Sequence, residues 1–172
     1  MNTTTVLNIA SPLIQKSGQP TKLKINSMDS SRMACYRLEK QCIYINSDKC
    51  MRQYEQLQQD GYHFRDRTQF IQMIVAHEIG HSLDPQLLFL SKQEEHLIDE
   101  LKYCETEAEM ENTFISLGEL IIRIENNAWE YAQPFLPADL DQQTLEQYRM
   151  FALESYIYGL EGMKQQLMAY LA

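Results

Sequence analysis

The sequence has no long apolar run and few basic residues. No window reaches the roughly 18 apolar residues that a membrane-spanning helix needs, and the most apolar stretch, residues 113–124, is interrupted by Glu119 and Arg123. Basic residues number 15 against 24 acidic ones, which gives a formal net charge of −9. Such a charge argues against general binding to a phosphate backbone. We therefore expect neither a membrane nor a nucleic acid as a partner.

The N-terminus and the cysteines carry no sign of secretion. The first 16 residues have no basic residue ahead of their apolar ones, so they make a poor secretory signal. A chain of 172 residues can bury a core without disulfides, and no CxxC pair occurs. We therefore expect reduced thiols in a cytoplasmic protein. The cysteines are Cys35, Cys42, Cys50 and Cys104.

The length and the order of the patterned segments predict one α+β domain over residues 1–172. Residues 21–26 and 41–46 alternate polar and apolar side chains as half-buried strands do, and residues 33–38 offer a third short strand between them. This strand-rich part, at about 20–46, precedes a mostly helical part at about 48–171. Strands followed by several helices are typical of an α+β fold with its sheet on one side.

Capping residues and prolines define the predicted helices. Ser91 and Glu94 have the spacing of a capping box, so a helix is expected to begin at Ser91 and to carry an acidic run as far as Glu111. We expect that run to be a solvated face, with a docking surface for a basic partner as the alternative. An apolar stripe on the last helix predicts a core-facing side. Of the other helices, one is expected to be capped by Ser47 or Asp48 and to end near Gly61, and one to be capped by Asp66 and to cover 67–83. Two more are expected to span 112–132 and 141–171.

The segment Ile74-Val-Ala-His77-Glu78-Ile-Gly-His81 carries the sharpest chemical signal. Two histidines four residues apart on a helix differ by about 40° in direction, so both imidazoles can reach one ion. Glu78 lies about 100° round from His77, beside the ion, where a carboxylate can take a proton from water at the metal. Imidazole nitrogens suit zinc, and three protein ligands leave one position open. We therefore predict one Zn²⁺ per chain, with Glu78 as the catalytic base.

The remainder of this helix is almost uncharged, which predicts that the helix is buried. Buried histidines need polar partners, so the alternative to a metal is a pair of core histidines that are hydrogen-bonded to backbone. Gly80 lowers helix stability by about 1 kcal/mol relative to alanine. Its small size would let a strand or a substrate come close to the helix.

Three carboxylates are candidates for the third ligand. Glu125 lies in a strongly apolar helical segment, where a carboxylate needs a cation. Glu130 lies five residues further on and points about 140° away, so only one of the two should face the metal. Asp84 lies on the same face as His77 but nearly two turns along, which suits it better to orienting a ligating histidine. Glu125 is the predicted ligand, with Asp84 and Glu130 as alternatives.

These motifs resemble those of the ImmA/IrrE family of zincin metallopeptidases, a gluzincin-like group. The resemblance pairs the HExxH segment with a downstream Glu-x-x-Ala-x-x-x-Ala segment at 125–132 and with Phe-Leu-Pro at 135–137. It implies a zincin-like fold, in which the small N-terminal sheet packs on the HExxH helix. It also implies that His77, His81 and Glu125 bind zinc, that Glu78 is the general base, and that residues 41–46 form the strand along the substrate cleft.

The resemblance covers about residues 41–137, and the chain departs from the family pattern within that range. Trp129 stands where the family usually has Asn or Asp. The separation of 44 residues between His81 and Glu125 is long, and the acidic helix looks like an insertion. A metzincin is a poor alternative because Asp84-Pro85 follows where that group needs a glycine and a third histidine.

Two functions follow as expectations. The first is a zinc metallopeptidase that hydrolyses peptide bonds of an intracellular protein or peptide substrate, which would pair as a strand with residues 41–46. The resemblance implies a regulatory cleavage, such as that of a repressor. The alternative is a non-catalytic protein-interaction module stabilised by zinc, in which a fourth protein group such as Asp84 fills the open position.

Overall fold

The computed structural model describes residues 3–26 and 32–171, with side chains as far as residue 169. Within these ranges the chain forms six α-helices and one small sheet, which confirms the predicted α+β class. The helices are α1 (Thr3–Ser17), α2 (Ser47–Gln59), α3 (Arg67–Leu83), α4 (Leu87–Glu100), α5 (Glu107–Ala132) and α6 (Gln142–Leu171). The strands are β1 (Lys22–Ile25), β2 (Ala34–Arg37) and β3 (Cys42–Ile45). None of the helices in the described part of the chain is both long and apolar enough to cross a membrane.

The sheet has the order β1-β3-β2, so the last strand in the chain lies in the middle. β1 pairs with β3 in parallel, and β2 pairs with β3 in antiparallel fashion. All four side chains of β3 are buried, as expected for a strand with a neighbour on each side. All three predicted strands are present, but the prediction that a substrate pairs with residues 41–46 is wrong because that strand has no free edge. Among the described strands, β1 and β2 are the edges.

Two asparagines join the sheet to α2. The Asn46 side chain accepts a hydrogen bond from the backbone N–H of Lys49 at 3.0 Å and so caps the helix one residue before the predicted cap. Asn26 has a positive φ of 53° at the end of β1. Its side chain accepts from the backbone N–H of Ser47 at 2.8 Å, which ties the end of an edge strand to the start of the helix.

Helix α1 was not predicted from the sequence. It buries Val6, Ala10 and Ile14, which recur every fourth residue, and it contacts α3. The usual start signals are weak here, since the first turn has no acidic residue and Pro12 lies inside the helix. The helix is therefore held by packing of its apolar side rather than by local sequence signals.

Helix α3 has the predicted bounds. The Asp66 side chain accepts from the backbone N–H of Gln69 at 2.8 Å, and the helix ends at Leu83, before Asp84-Pro85. Its neighbours are α1, α2 and β2, and most of its side chains are buried. The prediction of a buried helix is thus confirmed.

The acidic run is arranged differently from the prediction. Helix α4 begins at Leu87, so Ser91 lies inside it and caps nothing. The capping box is formed instead by Thr106 and Glu109 at the start of α5, where each side chain accepts from the other residue's backbone N–H, at 3.2 and 3.1 Å. The acidic residues are therefore divided between α4 and α5.

The chain divides into two compact units. The first unit comprises Met1–Asp84 and Asn127–Gln147, and it contains the sheet and the first three helices. The second unit comprises Pro85–Asn126 and Tyr148–Ala172, and its core is built from α4, α5 and α6. The prediction of one domain over residues 1–172 stays a prediction.

Candidate metal centre

The HExxH segment lies in the last two turns of α3. The rings of His77 and His81 are adjacent, with centroids 4.7 Å apart and planes at 75°. Both side chains are half-buried. The prediction that the i, i+4 spacing brings both imidazoles to one side of the helix is therefore confirmed.

The backbone of α5 comes very close to α3 at Gly80. A Cβ atom on Gly80 would lie 2.8 Å from the carbonyl carbon of Ala128 and 3.1 Å from the backbone nitrogen of Ala132, and closer still to the Ala128 carbonyl oxygen. The lack of a side chain thus admits a helix backbone. The expectation that a strand or a substrate approaches at this position is wrong.

The close approach of α5 brings a carboxylate to the histidines. Glu125 lies three residues before Ala128 and is buried. One ligand atom from each of His77, His81 and Glu125 can be chosen so that all three lie within 4.8 Å of one another. Two imidazole nitrogens and one carboxylate oxygen form a set that zinc accepts in catalytic sites, with one position left open. The residues present therefore fit a metal ion.

The two alternative ligands lie elsewhere. Glu130 is exposed on α5 and is not in the group. Asp84 is buried at the end of α3, and its Oδ2 accepts a hydrogen bond from the Asn127 side-chain amide at 3.0 Å. Asp84 thus links the end of α3 to α5, next to the histidines but outside the three-residue group.

Trp129 packs directly on a predicted ligand. Its ring centroid lies 4.3 Å from that of His77, with the planes at 35°, and only 1% of the residue is exposed. Sequence reasoning noted Trp129 only as a departure from a family pattern. Its position four residues after Glu125 was the available signal, because residues at i and i+4 share a helix face. Trp129 therefore restricts where the His77 ring can lie.

Glu78 is buried, and its charge acts on two thiols. Burial raises the pKa of Cys50 on α2 to about 12, and the negative charge of Glu78 adds to this effect. The pKa of Cys35 on β2 is also raised, first by burial and then by Glu78, although Arg37 and Arg32 oppose the shift. The Glu78 carboxylate is therefore close enough to β2 and α2 for its charge to be felt there.

The two remaining histidines and the cysteines lie outside this group. His63 and His96 are exposed. All four cysteines are free.

Comparisons with known proteins were made for the whole chain. No protein-family model, curated protein or solved structure matches it. The assignment of the metal centre therefore rests on the geometry and chemistry of its own residues.

Proposed function

We propose that this protein is a zinc-dependent metallopeptidase that hydrolyses peptide bonds of an intracellular protein substrate. The observation that carries the proposal is the group of His77, His81 and Glu125, whose ligand atoms can lie within 4.8 Å of one another, with Glu78 next to His77 on the same helix. A structural metal site has no need of a carboxylate at the position of Glu78. The combination of ligands and a neighbouring base therefore favours catalysis.

The metal ligands and Glu78 would have separate roles in hydrolysis. Zinc held by the three ligands would supply Lewis-acid chemistry, which lowers the pKa of a coordinated water and polarises a carbonyl group. Glu78 would take the proton of the attacking water and deliver it to the leaving amine. Burial of Glu78 suits this role, because a proton carrier shielded from bulk water exchanges protons mainly with the reactants.

We propose that the substrate binds at the sheet edge next to α3. β2 is an edge strand that contacts α3, and the charge of Glu78 reaches Cys35 on that strand. An extended peptide that adds to β2 through main-chain hydrogen bonds would run past the general base. We therefore place the substrate along β2 instead of β3.

The resemblance to the ImmA/IrrE family agrees with this proposal and suggests a class of reaction. It implies a regulatory cleavage of another intracellular protein, such as a repressor. The backbone atoms that a Cβ on Gly80 would meet belong to Ala128 and Ala132, the two alanines of the second motif. The zincin-like arrangement is part of the proposal.

The alternative, a zinc-stabilised module without catalysis, requires a fourth protein ligand. Asp84 was the candidate, and its Oδ2 is hydrogen-bonded to Asn127. The group of three ligands contains no fourth residue from the described part of the chain. An open coordination position favours the enzyme over the closed structural site.

The proposal is tested by metal content and cleavage in a matched set of variants. Wild-type protein purified without chelators should bind about one zinc per chain, Glu125→Ala should lose it, and the control Glu130→Ala should retain it. Glu78→Gln should keep zinc but lose cleavage of an unfolded casein probe by at least about a hundredfold. Zinc bound by the wild type with full cleavage in Glu78→Gln contradicts the mechanism, and absence of zinc binding contradicts the site.

A further inference from the structure

Exposed apolar side chains are concentrated in the second unit. Ten of the twelve large apolar side chains recorded as exposed in the described residues belong to it, and only Leu7 and Tyr131 belong to the first unit. Single exposed apolar residues are ordinary on protein surfaces, whereas a concentration on one part of the chain points to an interaction surface. The metal centre uses none of these ten residues.

Four of the ten form a repeated pattern on α5 and α6. Ile115 and Ile122 lie seven residues apart on α5 with Glu119 between them, and Met150 and Ile157 lie seven apart on α6 with Glu154 between them. Residues at i, i+4 and i+7 share one face of a helix, so each helix presents two apolar side chains flanking a glutamate. We call these six residues the α5–α6 surface. Its most exposed apolar members, one on each helix, are both 52% exposed.

The two helices run side by side in opposite directions. The Lys164 side chain pairs with Glu111, and that of Arg149 donates to Asn126 at 3.4 Å, so the start of one helix lies beside the end of the other. The two rows of the α5–α6 surface are therefore carried by neighbouring antiparallel helices, and both rows repeat every two turns. A helical partner with apolar anchors at i and i+7 matches this repeat.

Charge decides which kind of helix fits. The second unit holds half of the chain's 24 acidic residues but only five of its 15 basic ones. In the described part of the chain, Glu119 and Glu154 have no hydrogen-bond or ion-pair partner that would neutralise them. A second copy of the same surface would place glutamate against glutamate, and an anionic lipid surface would be repelled. A partner helix with lysine or arginine beside its apolar anchors matches both the apolar rows and the glutamates of this surface.

We propose that the α5–α6 surface docks a basic amphipathic helix of a partner protein. The apolar anchors would pack between Ile115 and Ile122 and beside Met150 and Ile157, and the basic side chains would pair with the glutamates. Affinity comes mainly from the apolar contacts, whereas the glutamates select against acidic helices and speed association. The proposal does not depend on catalysis at the metal centre.

The test uses two synthetic helical peptides of about three heptads with leucine at the a and d positions. One peptide carries lysine at the flanking positions and the other carries glutamate. The lysine peptide should bind the full-length protein at least about tenfold more tightly, measured by fluorescence anisotropy at physiological salt. Ile115→Ser with Ile122→Ser should weaken that binding by about tenfold or more although the net charge is unchanged.

Matched variants separate docking from general charge attraction. Leu7→Ser removes an exposed apolar residue from α1 and should leave the affinity unchanged. Glu119→Gln with Glu154→Gln keeps the four apolar side chains of the α5–α6 surface and should weaken the salt dependence of binding. This pair gives a second readout if circular dichroism shows that the serine variant is unfolded. Equal binding of both peptides, or full binding by a folded serine variant, overturns the proposal. Dimerisation of the wild type that the serine variant abolishes assigns the surface to a second copy and also overturns it.

Discussion

The two units differ in how completely their helices are covered. In the first unit α3 is surrounded by α1, α2 and β2, and its core side chains are excluded from water. In the second unit a core cluster of Leu101, Met110, Phe114 and Leu117 is buried, and the apolar residues packed against it stay partly exposed. A helix enclosed on several sides holds its side chains in one geometry, as metal ligands require. Helices with open outer faces keep surface for a partner.

The glycines that lie inside helices show the same difference. Gly80 in the first unit touches the backbone of α5, whereas Gly118 in the second unit has only the end of the Leu160 side chain within 4 Å. Gly159 and Gly162 have open space around them. Gly80 therefore serves close packing in the first unit, whereas the glycines in the helices of the second unit mainly lower helix stability.

Gly80→Ala should be the most damaging of these changes. The added Cβ would meet the backbone at Ala128 and Ala132, which cannot move aside as a flexible side chain can. We expect a loss of about 3 kcal/mol in the free energy of unfolding, measured by urea denaturation. The control Gly118→Ala places its Cβ 3.8 Å from Leu160 Cδ1, an ordinary contact, and should not destabilise. Equal losses of stability in the two variants would contradict the difference in packing around Gly80 and Gly118.

Zinc should stabilise the protein through the metal centre. At a free concentration of about 100 times its Kd, it should raise the free energy of unfolding by about 2.7 kcal/mol. The measurement is the midpoint of thermal unfolding with and without zinc, together with amide hydrogen exchange. Exchange should slow in α3 and remain unchanged in α4. His81→Ala should abolish the shift, and a shift that persists in this variant would place the metal elsewhere.

Gly159→Ala should raise stability by about 1 kcal/mol, because alanine is the better helix former and its Cβ meets nothing. The comparison in the first unit is Gly61, which has a φ of +89°. Gly61→Ala should lower stability by about 1 kcal/mol or more, since an L-residue avoids that conformation whatever the space. Urea unfolding measures both, and a gain at Gly61 would show that its backbone adapts.

The smallest effect concerns helix starts in acid. The backbone N–H of Gln69 holds the pKa of Asp66 below its ordinary value, so the cap stabilises the folded state at neutral pH and loses that effect as the pH falls through the folded pKa, below about 4. Asp66→Asn should match the wild type at pH 7 and lose less stability towards pH 3, by under about 1 kcal/mol.

The matched variant for the second unit is Glu109→Gln in the capping box of α5. The backbone N–H of Glu105 lowers the pKa of Glu109, so the sign of the pH effect is the same. Water competes with this exposed box, and its effect should be the smaller of the two. Unfolding curves at pH 7 and pH 3 compare the variants, and an unchanged acid response in both would show that the caps contribute nothing to it.

Local signals predicted much of the fold. Asp66 and Pro85 fixed the bounds of α3 to the residue, because capping and the missing proline N–H act within one turn. The same reasoning misplaced the capping box at Ser91, although Thr106 and Glu109 have the same spacing. Buried Leu87 and Leu90 extend α4 upstream of Ser91, so packing decided between two equal patterns.

Contacts between residues far apart in the chain could not be predicted from the sequence patterns. His77 and His81 could be paired from helix geometry, and Glu125 from the cost of a buried carboxylate. The contact of Trp129 with His77 joins residues 52 positions apart, and Gly80 meets a residue 48 positions further on. Periodicity describes one helix at a time, so it could not tell which backbone would lie against the glycine.

The sheet order also sets a sequence of events during folding. β1 and β2 precede β3 in the chain, yet each makes its ladder only with β3. Neither can acquire strand hydrogen bonds until residues 42–45 have arrived between them, and a growing chain that has emerged only as far as β2 has no sheet. The parallel ladder joins β1 to β3 across about 20 residues of chain, whereas the antiparallel ladder joins β2 to β3 across a much shorter connection. Formation of the sheet therefore depends on its central strand, with which both edge strands must pair.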